Sequence, residues 1–338
     1  PTPTASPTET PAASPTPTPT VTPSASAAGG GLTTGYISGG NDGVGVVSYP
    51  FSSPMTAGVS DIGNLAKNNT AGQSATSSSS TDGYNAGGYS DAVPANTTQI
   101  DSFPFASPFV TATDVGDLSG NGAYATGHSS STDGYRAGGT TGLYPAVLTT
   151  VIDNYPFSSP FATASSLGNL STGRNFAAGL SASGDGFVAS GSTTGAYFTP
   201  ATGSVESFPF SAPFAVTSTG TMGTAQAGAS GISDANNSTG YFVGGYAPSA
   251  TNATTIQQFP FAGPFTTTST VGNLNSGAYQ GAGSNSDTDG YNVEGTGDSA
   301  PLNNKVERFP FSSPFTNSTD VGELGFPNQI RQFGAHQS

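Results

Sequence analysis

The chain contains no cysteine and no tryptophan, and only six of its 338 residues are lysine or arginine. Without cysteine there is no disulfide frame, no thiolate nucleophile and no zinc–sulfur site. The redox compartment stays open, since a chain of this length can bury a sufficient core without disulfides. The six cations, Lys67, Lys305, Arg136, Arg174, Arg308 and Arg331, are scattered along the sequence. Nucleic acid is bound by clustered cations that neutralise phosphates, so a nucleic-acid partner is excluded. No run of about eighteen apolar residues occurs, so no membrane span is expected. Charged residues make up 8%, against roughly 25% in ordinary soluble domains, and the formal net charge is −14. Solubility therefore falls to serine and threonine hydroxyls, to the negative charge, or to sugars carried on those hydroxyls. The sequence opens at Pro1 with no initiator methionine or signal-peptide core, as expected of a processed chain or a fragment.

What is present divides into two parts. Residues 1–28 alternate proline with threonine, serine and alanine, with Glu9 as the one charge and Val21 as the one branched aliphatic side chain. Such a segment cannot bury a core and favours extended polyproline II. It is also the composition of O-glycosylated stalks, with Thr16, Thr18 and Thr20 the expected sugar carriers. At about 3.1 Å per residue it reaches roughly 85 Å, whereas a compact body of the remaining length has a diameter of about 50 Å. The tail is therefore long enough to cross a neighbouring subunit.

Residues 29–338 repeat with a period of about fifty. One element is an aliphatic residue followed three positions later by aromatic-Pro-Phe. It ends in Phe51, Phe105, Phe157, Phe210, Phe261 and Phe311, with a second proline at a fixed offset (Pro54, Pro108, Pro160, Pro213, Pro264, Pro314). Another is glycine-aromatic, carrying Tyr36, Tyr84, Tyr135, Phe187, Tyr241 and Tyr291, and it usually ends in paired glycines such as Gly87-Gly88. A Gly-x-Leu segment such as Gly116-Asp117-Leu118 reads as a turn. A small-residue strand reads at Ala71-Gly72, Thr126-Gly127, Ala178-Gly179, Ala227-Gly228 and Ala282-Gly283.

Four short strands per repeat, rich in glycine and aromatics, predict an all-β, six-bladed β-propeller. A β-solenoid is the alternative, but its turns are usually less than half this period. Glycine and alanine suit strands crowded around a central channel. The proline-bearing segment is expected outermost, where a missing N–H breaks no ladder. The repeats begin mid-unit at Thr34-Gly35-Tyr36 and end at Phe333-Gly334-Ala335-His336-Gln337-Ser338, which matches the small-residue strand. The two ends are therefore expected to complete one blade together and close the ring. The repeated aromatic residues are expected to pack between blades; an exposed aromatic rim that stacks on sugars is the rival reading.

The order of paired-glycine strand, aliphatic-aromatic strand and Gly-Leu segment resembles kelch-type propeller repeats. Segments such as Asp114-Val115-Gly116-Asp117-Leu118 and Ser130-Ser131-Thr132-Asp133-Gly134-Tyr135 are most similar to the divergent kelch-like repeats of phage tail and environmental microbial proteins. The family's usual tryptophan is missing, and the tail resembles those of heavily glycosylated extracellular fibre subunits in composition. The resemblance implies a propeller but no single activity.

Kelch-type copper oxidases use a Tyr, Cys and His ligand set, which a chain without cysteine cannot supply. The two histidines, His128 and His336, fall in the same small-residue strand of different repeats. The segment before Asp133 resembles the Asp-box turn of sialidase propellers, but those need clustered arginines to hold a substrate carboxylate. Asp82, Asp133 and Asp289 read as Asx-turn residues, not as calcium ligands. No enzyme, metal or cofactor is expected. Sequons for N-linked sugar include Asn96 and Asn252. The function expected is a structural subunit of an extracellular or surface- or virion-associated filament, copies joined head to tail through residues 1–28. The alternative is a carbohydrate-binding adhesin or phage tail-fibre propeller.

Overall fold

The computed structural model describes residues 33–337 apart from short stretches, the longest being 68–73, 298–304 and 325–334. The tail, with Thr16, Thr18 and Thr20, lies outside the described residues. Six four-stranded antiparallel sheets form the blades of a propeller, and no α-helix occurs among the described residues. Blade 2 shows the plan, from the axis outward: inner strand Ala75–Ser78, second Asp82–Ala86, third Gln99–Pro104, outer Thr113–Asp117. The inner strands of blades 3 to 6 are Thr126–Ser129, Ala178–Ser181, Ser230–Ser233 and Ala282–Asn285. Each touches its neighbours around the axis. Blade 1 takes Thr34–Ser38, Gly45–Pro50 and Ser60–Asn64 from one end of the repeat region and its inner strand, Ala335–Gln337, from the other. Tyr36 pairs with His336 and Ile37 with Ala335, so the ring is closed by both ends of that region.

Three expectations about strands are corrected. The proline-bearing strand is third, not outermost. Its proline is the last residue paired inward (Asp82↔Pro104) and lies beyond the pairing with the outer strand, which stops at Ser102↔Thr113. Its missing N–H thus costs nothing, although the strand is internal. The Gly-x-Leu segment is no turn. Gly116 and Asp117 end the outer strand opposite a bulge between Ile100 and Asp101, and Leu118 follows, buried. The inner strand of blade 5 holds Gly231, three residues past Ala227-Gly228. In blade 2 it holds Thr76, and Ala71-Gly72 falls outside the described residues.

Both faces of a blade are covered by neighbours, which is why Gly83, Tyr84, Asn85 and Ala86 are all buried in succession. Among the described residues the buried apolar side chains form six clusters, each straddling one seam between blades. The last seam joins Tyr49, Phe51 and Met55 to Tyr291, Val306 and Leu324. The repeated aromatics build these seams. Tyr84 stacks on Phe157 of the next blade at 4.6 Å and donates its hydroxyl to that residue's carbonyl at 2.9 Å. The same stack joins Tyr36 to Phe105, Tyr135 to Phe210, Phe187 to Phe261, Tyr241 to Phe311 and Tyr291 to Phe51. Every tyrosine of the set also makes the hydroxyl bond. Burial holds the Tyr241 phenol up at about 12, so it stays a donor. Phe187 lacks the hydroxyl, so blade 4 already shows the stack standing alone. Tyr135→Phe is accordingly expected to cost about 1 kcal/mol in urea unfolding. An unchanged midpoint would mean that stacking by itself holds the seam.

Candidate functional site

The axis is where a propeller could hold a ligand, so its walls come first. The inner strands approach more closely than side chains would allow. A Cβ on Gly127 would lie 1.9 Å from the Thr76 carbonyl oxygen, and one on Gly231 would lie 2.2 Å from that of Gly179. Neighbouring backbones therefore touch, carbonyl oxygen against Cα. The inner strands are also bonded in sequence: Ser78 N–H to Ser129 Oγ, Ser129 N–H to Ser181 Oγ, and Ser181 N–H to Ser233 Oγ, at 2.9 to 3.1 Å. A second hoop runs where outer strands lead into the next inner strand. Phe176 N–H bonds Tyr124 O, Gly228 N–H bonds Phe176 O and Gln280 N–H bonds Gly228 O. Tyr124, Phe176 and Gln280 take positive φ (53°, 52°, 58°) to do so, a strained geometry that the hoop enforces. Among the described residues, a partly open space lined by residues such as Thr76, Thr126 and Ser230 of the inner strands measures about 100 Å³. That is below the about 300–1,000 Å³ of ordinary small-molecule pockets.

A second polar feature lies inside the seams. The third-strand residue after the aliphatic one is Asp101, Asp153, Glu206, Gln257 or Glu307 in blades 2 to 6, all buried; blade 1 has Val47. Each of the five ties down the preceding blade just past its outer strand. Asp101 accepts from Lys67 N, Asp153 from Ser119 N and Oγ, and Glu206 from Ser171 N and Oγ. Gln257 accepts from Thr224 N and Glu307 from Asn275 N. Cations join them. Arg136 meets Asp153 at 3.0 Å, and Arg174 meets Glu206 at 2.5 Å, with both pairs buried. Burial pulls both guanidinium groups below their usual range, and the carboxylates oppose that shift. Lys67 sends its ammonium to the carbonyls of Asn85 and Gln99. Burial lowers it to about 8, against the pull of Asp101, Asp114 and Asp117.

Other singled-out residues take local roles. His128 is buried in an inner strand, Nδ1 bonded to Leu180 O at 2.8 Å and Nε2 to Thr126 Oγ1 at 2.9 Å. A carbonyl can only accept, so Nδ1 carries the proton. Burial lowers the ring to about 4, leaving it neutral above that pH. His336 lies in the closing strand. The turns at Asp82, Asp133 and Asp289 are closed mainly by serine: Ser79, Ser130 and Ser286 accept the aspartate N–H at 2.9 to 3.1 Å. The aspartate side chains instead accept from Thr81, Thr132 and Thr288. Asn96 is buried, its Nδ2 donating to Thr140 O and Gly142 O, which leaves that nitrogen unable to carry a sugar in the folded ring. Asn252 is half-buried and bridges to Tyr246.

Sequence reasoning missed the residue after the second proline. Phe109, Phe161, Phe214 and Phe265 lie over Gly63, Gly116, Gly168 and Gly220 in the outer strands of the preceding blades. Their fixed offset was the available signal. Among the described residues no three of His, Cys, Asp or Glu gather as a metal site, and no helix is long and apolar enough to cross a membrane.

No family model matches the chain, and no curated protein matches it. Among solved structures it is similar to that of YjhT, at 12% identity and a TM-score of 0.64, over 86% of this chain and 95% of that one. At such identity the likeness carries the propeller fold and nothing of activity. The kelch type rests on the sequence resemblance alone.

Proposed function

We propose that this propeller is a structural, non-catalytic bead in an extracellular or surface-associated filament, joined head to tail to copies of itself through residues 1–28. The observation that supports this is how the buried charges are used. Lys67 and Arg174 bond from one blade to the next, Asp101, Asp153 and Glu206 hold the preceding blade, and Arg136 braces Asp153 within blade 3, so that these buried charges are engaged by the protein's own seams. A head-to-tail contact is heterologous, and one that does not close builds an open filament. The reach of the tail fits such a contact, and Thr16, Thr18 and Thr20 are its candidate sugar carriers. Deleting residues 1–28 is expected to abolish filaments in electron micrographs while the ring keeps its unfolding transition. Filaments that persist unchanged would sink this reading.

A second reading, a glycan-binding adhesin, is favoured by Tyr246 and Tyr279. These half-buried rings lie 5.5 Å apart on the face that carries the backbone hoop. Glycan-array binding by the tail-less ring would favour it over the filament.

A further inference from the structure

The buried third-strand residues are matched seam by seam. Asp101 has Lys67 beside it, Asp153 has Arg136, Glu206 has Arg174, and the amide of Gln257 faces that of Gln226 at 3.4 Å. Blade 6 breaks the pattern, because the residue beside Glu307 is Glu294. Glu294 follows the second strand directly, where blades 2, 3 and 5 have Gly87, Gly138 and Gly244. It therefore brings a side chain to a place where those blades have none.

Both carboxyl groups are out of water, Glu294 at 0% exposure and Glu307 at 1%. Ser276 Oγ donates to Glu294 Oε1. Asn275 N–H, at 2.9 Å, and Ser318 Oγ donate to Glu307 Oε2. That leaves Glu294 Oε2 and Glu307 Oε1 buried with no other donor, on two groups within hydrogen-bonding reach of each other. Two ionised carboxylates in such a place would repel and lack donors. We propose that Glu294 and Glu307 of blade 6 share one proton between Oε2 and Oε1, a clasp that holds both carboxyls against Asn275 and Ser276 at the seam with blade 5 and loosens when the proton leaves.

The charged groups that act on Glu294 are Glu307 and Lys305. Burial, with Glu307, raises its acidity constant from the ordinary 4.5 to about 7, against the pull of Ser276 and Lys305. A value raised in the folded state means stability present below the unfolded value and lost as pH rises through about 7. His128 works in the opposite sense. Its folded value of about 4 lies below the ordinary 6.5, so its contribution is lost as pH falls across that window. The wild-type profile therefore mixes the two, and only a difference isolates the clasp.

The test compares the full chain with Glu294→Gln, whose amide can donate to Glu307 in place of the proton. The wild type is expected to lose stability relative to the variant by on the order of a hundredfold in folded-to-unfolded ratio between about pH 4.5 and 7. Parallel profiles would overturn the clasp. Infrared spectra of the wild type should carry a protonated-carboxyl band in mild acid that fades above neutral pH and is missing from Glu294→Gln. Should that variant not fold, Glu307→Gln serves in its place, and absence of the band in the wild type overturns the proposal unaided. A wild-type midpoint lowered by chelator and restored by calcium, with no such response in Glu294→Gln, would assign the pair to a cation and also overturn it.

Discussion

Replacing Arg174 by glutamine is expected to destabilise the propeller by about 3–5 kcal/mol, because it leaves Glu206 charged and buried without its cation. Arg174 sits at a blade boundary, and its guanidinium reaches Glu206 Oε1 at 2.5 Å and Ser204 Oγ at 3.0 Å. Glutamine cannot supply the charge. The chain itself shows the neutral solution: at the equivalent places blade 5 carries Gln226 and Gln257, the latter bonded to Thr224 N and O at 3.1 Å. The double variant Arg174→Gln/Glu206→Gln should therefore recover most of the loss. Urea unfolding of the two variants decides the matter. A single variant within about 1 kcal/mol of wild type would show that Glu206 does not depend on its cation.

The second large effect is expected at the axis. Gly127→Val should yield no stably folded ring, a loss beyond about 4 kcal/mol, since the added Cβ meets backbone and not a movable side chain. The Thr76 oxygen would lie 1.9 Å away and the Thr76 nitrogen 2.4 Å away. Gly120→Ala is the control, as nothing lies within 4 Å of its Cβ position. Soluble yield and thermal unfolding provide the measure. A Gly127→Val protein that melts with wild type would mean that the inner strands can move apart, and that the channel is wider in solution than the hoops imply.

Much of the fold was legible because it is repeated. Six copies of aromatic-Pro-Phe and of glycine-aromatic give the blade number, and the split unit at the ends gives the closure between Tyr36 and His336. Strand order was less legible. Proline marks a place without a donor, and that place can be the end of an internal strand as readily as an outer edge. Pro104 pairs with Asp82 but stops short of the outer strand. The turn reading of Gly116 failed for a related reason. Its glycine is required by Phe161 of the next blade, which covers it, and no contact between blades is visible along one repeat.

By itself, the sequence determined the class of fold, the six blades, the closure and the poverty of cations, because each is a property of spacing or count. Only the tertiary structure decided which charges meet. The backbone N–H of Lys67 reaches Asp101 across 34 positions and so brings its ammonium under that carboxylate's pull, Arg174 reaches Glu206 across 32, and Glu294 faces Glu307 where a cation or an amide would be expected. Lys67 and Arg174 lie past the outer strand of one blade and meet their partners only when the next blade stacks on it, whereas Glu294 and Glu307 are brought together by the pairing of Val293 with Val306 inside blade 6. Burial then makes each unpaired charge expensive, so the seams accept matched pairs. In the sequence the six scattered cations spoke only against a nucleic-acid partner. In the folded ring, three of them, Lys67, Arg136 and Arg174, are the cations of its seams.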